Sequence, residues 1–148
     1  MSNNNGRMPA ETGLHLGRIA ASGREEWMLM EMDLRITIRN NGAATVVDLA
    51  GELDAYTSGR FREAMIESIE NGNPNLVVSM LNVEYIDSSG LGALVGGLKR
   101  ASERNGKIVI VCNQPQVRKV FEITGLEKVF PLYEAEDEAV KAIVDTGK

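Results

Sequence analysis

The amino-acid sequence predicts one layered α/β domain, a mixed and mostly parallel β-sheet with helices packed on it, behind a flexible N-terminal tail. Three observations lead there. A chain of 148 residues with 43% hydrophobic content can bury one core but is too short for two full domains. After an opening hairpin, short apolar runs alternate with helix-period segments, the pattern of helices covering a parallel sheet. The first 30 or so residues mix polar and small side chains without sustained periodicity, too few apolar groups to offset the entropy of ordering. Residues 1–31 are therefore read as a disordered extension and residues 32–148 as the domain. Within the extension, Trp27-Met28-Leu29-Met30 is the one apolar cluster. It suits a docking patch, a short helix end, or sequence preceding an internal start at Met28, Met30 or Met32.

Leu34, Ile36 and Ile38 alternate with Arg35, Thr37 and Arg39, as a half-buried strand requires. Asn40-Asn41-Gly42 reads as a hairpin turn, because Asn-Gly tolerates positive φ. Ala44 to Ala50 is the returning strand and ends at Gly51-Glu52-Leu53-Asp54. Thr57 or Ser58 is placed to cap a helix from Gly59 to Asn71, with Phe61, Ala64, Met65, Ser68 and Ile69 at helical spacing. Asn71-Gly72-Asn73-Pro74 stops it. Leu76 to Leu81 is nearly continuous in apolar residues, which suits a strand covered on both faces.

Tyr85-Ile86-Asp87-Ser88-Ser89-Gly90-Leu91-Gly92 leads into a helix that ends near Asn105-Gly106. Leu91, Leu94, Val95 and Leu98 form its apolar stripe, while Gly92, Gly96 and Gly97 let its backbone approach a neighbour. Lys107 to Cys112 is a further buried strand. Pro115 opens a helix carrying Val117, Val120, Phe121 and Thr124, and Gly125 ends it. Val129 to Tyr133 gives a last strand and Glu136 to Val144 a last helix.

Composition excludes several function classes. A formal charge of −5 and a pI near 5.0 disfavour nucleic acid, whose binding depends on clustered Lys and Arg, so a protein partner is expected. The single cysteine, Cys112, rules out an internal disulfide and sits in an apolar run, in keeping with a reducing cytoplasm. No window approaches the ~18 apolar residues of a membrane span, and no signal peptide is visible. The only histidine is His15, in the extension, so neither a Ser-His-Asp triad nor a histidine- or cysteine-based zinc site is expected within the domain. No phosphate-binding loop or dinucleotide fingerprint occurs. No catalytic residue, metal or cofactor is expected.

What remains is Asp87-Ser88-Ser89-Gly90, where a buried strand gives way to an apolar helix. A helix start leaves N–H groups unpaired, and a serine or aspartate there accepts their hydrogen bonds, which is the ordinary structural reading. The place also suits regulation. A phosphoryl group would meet the positive helix end and free amides, and would add about −1.5 to −2 of charge at the surface.

Gly51-Glu52-Leu53-Asp54, then Asp87-Ser88-Ser89-Gly90-Leu91-Gly92, then Phe121 followed by Gly125-Leu126, resembles the signature of the anti-sigma factor antagonists, which are STAS-domain proteins. The resemblance runs from about Met32 to Val144, and the ordered combination is more specific than any single piece. It implies a STAS-type domain and a partner-switching function without catalysis. The unphosphorylated antagonist binds an anti-sigma factor that is also a serine kinase of the histidine-kinase-like ATPase type, and a sigma factor is released. Phosphorylation frees the antagonist, and a serine phosphatase resets it. Residue by residue, the phosphorylated serine is Ser88, with Ser89 the runner-up. The resemblance also implies a partner surface formed by Asp54, Tyr56, Thr57, Asp87, Ser88, Ser89, Gly90 and Leu91. Asp54 and Thr57 equally suit a turn and a helix cap. Two readings compete with the switch. One is a constitutive scaffold or transport-complex subunit, in which Ser88 merely caps the helix. The other is a small nucleotide-binding protein or hydrolase using the Ser88 helix start as an anion site.

Because an aperiodic terminus contributes little to a core, deletion of residues 1–31 is expected to leave the thermal midpoint nearly unchanged. Differential scanning calorimetry of the two forms tests this. A drop of many degrees would show that the Trp27 cluster packs on the domain.

Overall fold

Strand β1 (Leu34–Asn41) turns into β2 (Ala44–Leu53) through Gly42 and Ala43, a two-residue connection that makes the pair an antiparallel hairpin. The structure, a computed structural model, describes residues 34–146. The expected extension, with the Trp27 cluster and His15, lies outside them. The turn falls one residue later than the sequence suggests. Gly42, at φ 64°, is its first central residue, and Asn41 closes the strand. Glycine first and a residue of negative φ second is the type II′ arrangement, whose twist suits the flanking strands.

Helix α1 (Ser58–Asn71) follows, then β3 (Leu76–Ile86), helix α2 (Ser88–Glu103) and β4 (Ile108–Val111). Helix α3 (Pro115–Thr124), a 3₁₀ turn (Leu126–Lys128), the short β5 (Leu132–Tyr133) and helix α4 (Glu136–Thr146) complete the domain. The sheet order is β1-β2-β3-β4-β5, and β2 to β5 pair in parallel. This is the expected mixed, mostly parallel sheet. Leu76 to Met80 and all of β4 are buried, as strands covered on both faces must be.

On one face lie α1 and α2, packed against each other. Phe61, Met65 and Ile69 form the buried stripe of α1. A Cβ added at Gly97 of α2 would come within 2.8 Å of Met65 Sδ and 3.5 Å of Ile108 Cδ1, so the absent side chain sets the distance between the two helices. The buried sector of α2 accordingly runs through Gly90, Leu91, Ala93, Leu94, Gly97 and Ala101. Val95, expected in the stripe, is turned to water because small residues occupy the contact with α1. Gly92 does not serve close packing either, since nothing lies within 4 Å of a Cβ placed there. Helix α3 begins on Pro115 and ends on Gly125 at φ 78°, as its sequence predicts, with Phe121 set edge-on to Phe130 at 6.4 Å. The last strand is shorter than expected, because the chain after Gly125 first makes the 3₁₀ turn.

Helix α4 covers the opposite face, where Ala139 and Ile143 pack on Ala44, Val46, Val77, Val109 and Val111. Its first residue is tied to the hairpin. Arg39 Nη2 and Nη1 donate to Glu136 at 2.6 and 2.9 Å, Arg39 Nε donates to Asp48 at 2.8 Å, and Asn41 Nδ2 donates to Glu136 at 2.7 Å. The Arg39 guanidinium, helped by Asn41 and opposed by burial, holds the Glu136 carboxyl below the usual range.

A carboxyl with a lowered folded-state pKa adds stability that is present above its unfolded value of about 4.3 and is lost as pH falls through the folded value. Glu136→Gln is therefore expected to melt below the parent at neutral pH, by the equivalent of about 0.2–1 kcal/mol because the pair is partly in water. The gap should close as pH drops below about 4. Thermal melts across that range test it, and a gap independent of pH would refute the assignment.

Candidate functional site

The site forms where the C-terminal ends of β2 and β3 meet. Strand β3 continues to Ile86, five residues beyond the apolar run that marks it in the sequence, because β2 pairs with it to the end. Register shifts after Asp48 and after Gly51 each add a residue on the β3 side and bring Glu52 opposite Tyr85 and Leu53 opposite Ile86. The second shift leaves consecutive Glu84 and Tyr85 facing water between buried Val83 and Ile86. Both strands then leave the sheet side by side, and the Asp87 N–H donates to the Leu53 carbonyl at 3.2 Å.

The loop after β2 is built by Asp54 and Thr57. Asp54 Oδ1 accepts the N–H groups of Tyr56 at 2.9 Å and Thr57 at 3.1 Å. Thr57 Oγ1 accepts the Asp54 N–H at 3.0 Å and donates to the Glu52 carbonyl at 2.8 Å. Thr57 occupies the N-cap position of α1 but gives the helix no side-chain cap, because its hydroxyl is committed to this loop. Its side chain is buried, so it supports the surface from beneath. Tyr56, by contrast, is 88% exposed.

The loop after β3 is a helix start with an aspartate cap. Asp87 has extended backbone angles, and its Oδ1 accepts the N–H groups of Ser89 at 2.9 Å and Gly90 at 3.4 Å. Ser88 is the first helical residue, exposed, and its hydroxyl has no hydrogen-bond partner among the described residues. Capping therefore falls to Asp87 and not to Ser88. Two of the amides that a phosphoryl group was expected to meet are already taken by that carboxylate. Ser89 is half-buried, and Gly90 and Leu91 are buried under the helix start. A Cβ on Gly90 would stand 2.8 Å from Leu53 Cγ, so glycine is what lets α2 begin directly over the end of β2.

The structure thus gathers Asp54, Tyr56, Thr57 and Asp87 through Leu91 at one end of the sheet, with Asp54, Tyr56, Asp87, Ser88 and Ser89 reaching its surface. Two further exposed side chains escape the sequence reading. Val95 lies seven residues after Ser88, on the same stripe of α2, and Tyr85 is half exposed beside the last β3 pair. Alternation from Val83 points Tyr85 inward, and only the register shift reverses it. Among the described residues no group of His, Cys, Asp and Glu is arranged to hold a metal ion, and no helix is long and apolar enough to cross a membrane.

Residues 35–139 match the STAS domain family. The chain belongs to that family. The STAS domain here is 33% identical over 110 residues to the anti-sigma F factor antagonist of Paenibacillus polymyxa, a match covering 74% of this chain and 94% of the relative. It is 32% identical over 103 residues to the anti-sigma-B factor antagonist of Staphylococcus aureus (strain NCTC 8325 / PS 47), covering 70% and 95%. Among solved structures, an anti-sigma factor antagonist from Mycobacterium paratuberculosis superposes with a TM-score of 0.70 at 28% identity, covering 76% of this chain and 95% of that one.

The division of labour at the start of α2 is measurable. Asp87→Ala should cost about 1 kcal/mol, the usual worth of an N-cap, whereas Ser88→Ala at an exposed, unbonded position should cost less than about 0.5 kcal/mol. Chemical denaturation of both variants tests the ranking. A larger loss at Ser88 would return the capping role to the serine.

Proposed function

We propose that this STAS-domain protein is an anti-sigma factor antagonist switched by phosphorylation of Ser88. Unphosphorylated, it binds an anti-sigma factor that is also a serine kinase of the histidine-kinase-like ATPase type, and a sigma factor is set free. Phosphorylated, it lets go until a serine phosphatase removes the phosphoryl group. The protein contributes a substrate hydroxyl and a docking surface and no catalysis of its own. ATP and its magnesium belong to the kinase. It works in the cytoplasm, without nucleic acid or membrane.

The observation that carries this reading is the exposed Ser88 hydroxyl, left unbonded because Asp87 caps the helix. An acceptor that holds nothing together is free to be modified without loss of the fold. The relatives' names supply the class of partner. Asp54, Tyr56, Asp87 and Ser89, at the same end of the sheet, are the contact residues, with Ser89 the second acceptor, and Thr57, Gly90 and Leu91 shape the surface from below. Phosphorylation adds about −1.5 to −2 of charge. Because Asp87 already holds the Ser89 and Gly90 amides, that charge is not drawn into the helix end and stands toward the partner beside a second negative group. A charge desolvated in an interface without a counter-ion costs several kcal/mol, and about 1.4 kcal/mol is tenfold in affinity.

Ser88→Ala is expected to bind the cognate kinase within a few-fold of the parent and to resist phosphorylation, while Ser88→Asp and Ser88→Glu bind at least about tenfold more weakly. All three should melt close to the parent, since a helix N-terminus tolerates an acid. Calorimetric titration beside thermal melts separates the outcomes. Acidic variants that bind as tightly as the parent, or that fail only because they unfold, would reduce Ser88 to a structural residue and end the switch reading.

A further inference from the structure

Four Asn-Gly dipeptides occur in the chain, and Asn5-Gly6 lies outside the described residues. The other three sit in different hydrogen-bonding settings. After Asn71, the Gly72 N–H donates to the Ser68 carbonyl. After Asn105, the Gly106 N–H donates to the Ala101 carbonyl at 2.7 Å. After Asn41, the Gly42 N–H has no acceptor among the described residues, in keeping with the first central position of a hairpin turn. Asn-Gly is the dipeptide in which the following backbone nitrogen most readily attacks the asparagine side chain, because glycine has no Cβ to obstruct it. The attack requires that nitrogen to give up its proton. A nitrogen whose proton is already engaged in a hydrogen bond is a poorer nucleophile and is held in place by the bond.

We infer that Asn41 is the deamidation site of the folded domain, and that its conversion unfastens the C-terminal helix from the β1-β2 hairpin. In the first step the Gly42 nitrogen loses its proton and bonds to Asn41 Cγ, and the side-chain nitrogen leaves as ammonia, closing a succinimide. One water molecule then opens the ring at either carbonyl, giving aspartate or isoaspartate. The reaction consumes water, releases ammonia and involves no oxidant or reductant.

The consequence follows from what the Asn41 amide touches. Its Nδ2 donates to Glu136 Oε2 at 2.7 Å, in the same junction where Arg39 bridges Glu136 and Asp48. Aspartate at position 41 replaces a donor with a second carboxylate facing Glu136, so that Arg39 is left with three acids in place of two. Isoaspartate also lengthens the main chain by one methylene at the last residue of β1, where the turn fixes the register of the hairpin. Asn71 and Asn105 are exposed, and neither side chain contributes to such a junction.

The experiment is to incubate the full chain in mildly alkaline buffer, map deamidation and isoaspartate by peptide mass spectrometry, and follow the melting temperature. A sample kept in denaturant reports the reaction without folded structure. The expected result is conversion at Asn41 ahead of Asn71 and Asn105 in the folded protein, with a melt that falls by several degrees as Asn41 is consumed. Asn41→Gln, incubated alongside, keeps an amide but lacks the five-membered-ring route, and its melt should hold steady. Freshly made Asn41→Asp should melt below Asn71→Asp and Asn105→Asp. Conversion of Asn71 or Asn105 first, or persistence of Asn41 while the denatured sample reacts, would overturn the site. An unchanged melt after Asn41 has been converted would overturn the consequence.

Discussion

The Asp87 N–H reaches the Leu53 carbonyl, and the two loops of the site are neighbours because of it. That bond depends on β2 and β3 staying paired to their last residues, Leu53 against Ile86, which in turn requires the two extra residues accommodated along β3. Gly90 completes the constraint. With no Cβ, it lets α2 start directly over the Leu53 side chain, so the helix N-terminus opens beside the Asp54 loop and not a side chain's width away from it. A larger residue there would have to displace Leu53 and Ile86 or tilt the helix, and either would move the start of α2 off the end of β2.

Within that frame two carboxylates do structural work and leave a hydroxyl free. Asp54 gathers the amides of its own loop, and Asp87 gathers those at the start of α2. Each is satisfied by backbone donors, which is how a polar turn is held rigid at a surface. Ser88 follows Asp87 with its backbone in the helix and its side chain exposed. A change of that side chain leaves intact the bonds that shape the surface.

The far face is organised differently. Helix α4 is held by apolar burial along its length and by an ionic junction at its first turn, where Arg39 and Asn41 converge on Glu136. Acidic groups at a helix start are favoured by its dipole, so Glu136 serves both the helix and the hairpin. The junction links residues 97 positions apart in sequence, tying α4 to the β1-β2 hairpin.

Periodicity and turn chemistry in the sequence alone determined the fold class and the order of its elements. The buried runs of β3 and β4, the stripe Phe61, Met65 and Ile69, and the pairing of Pro115 with Gly125 around α3 are local signals with local causes. Asp87-Ser88-Ser89-Gly90 was likewise legible as a helix start that could carry regulation. The sequence pattern places Val95 in the core stripe, ends β3 at Leu81 and leaves open which side chain caps and which way Tyr85 faces, and only the tertiary structure decided these. Thr57 looks like a cap until the Asp54 and Glu52 backbones claim its hydroxyl, and Val95 looks like core until α1 packs on Gly96 and Gly97. Tyr85 follows its strand inward until a register shift turns it out. Each depends on a partner distant in the chain or on a pairing between strands, and a one-dimensional pattern holds no record of either.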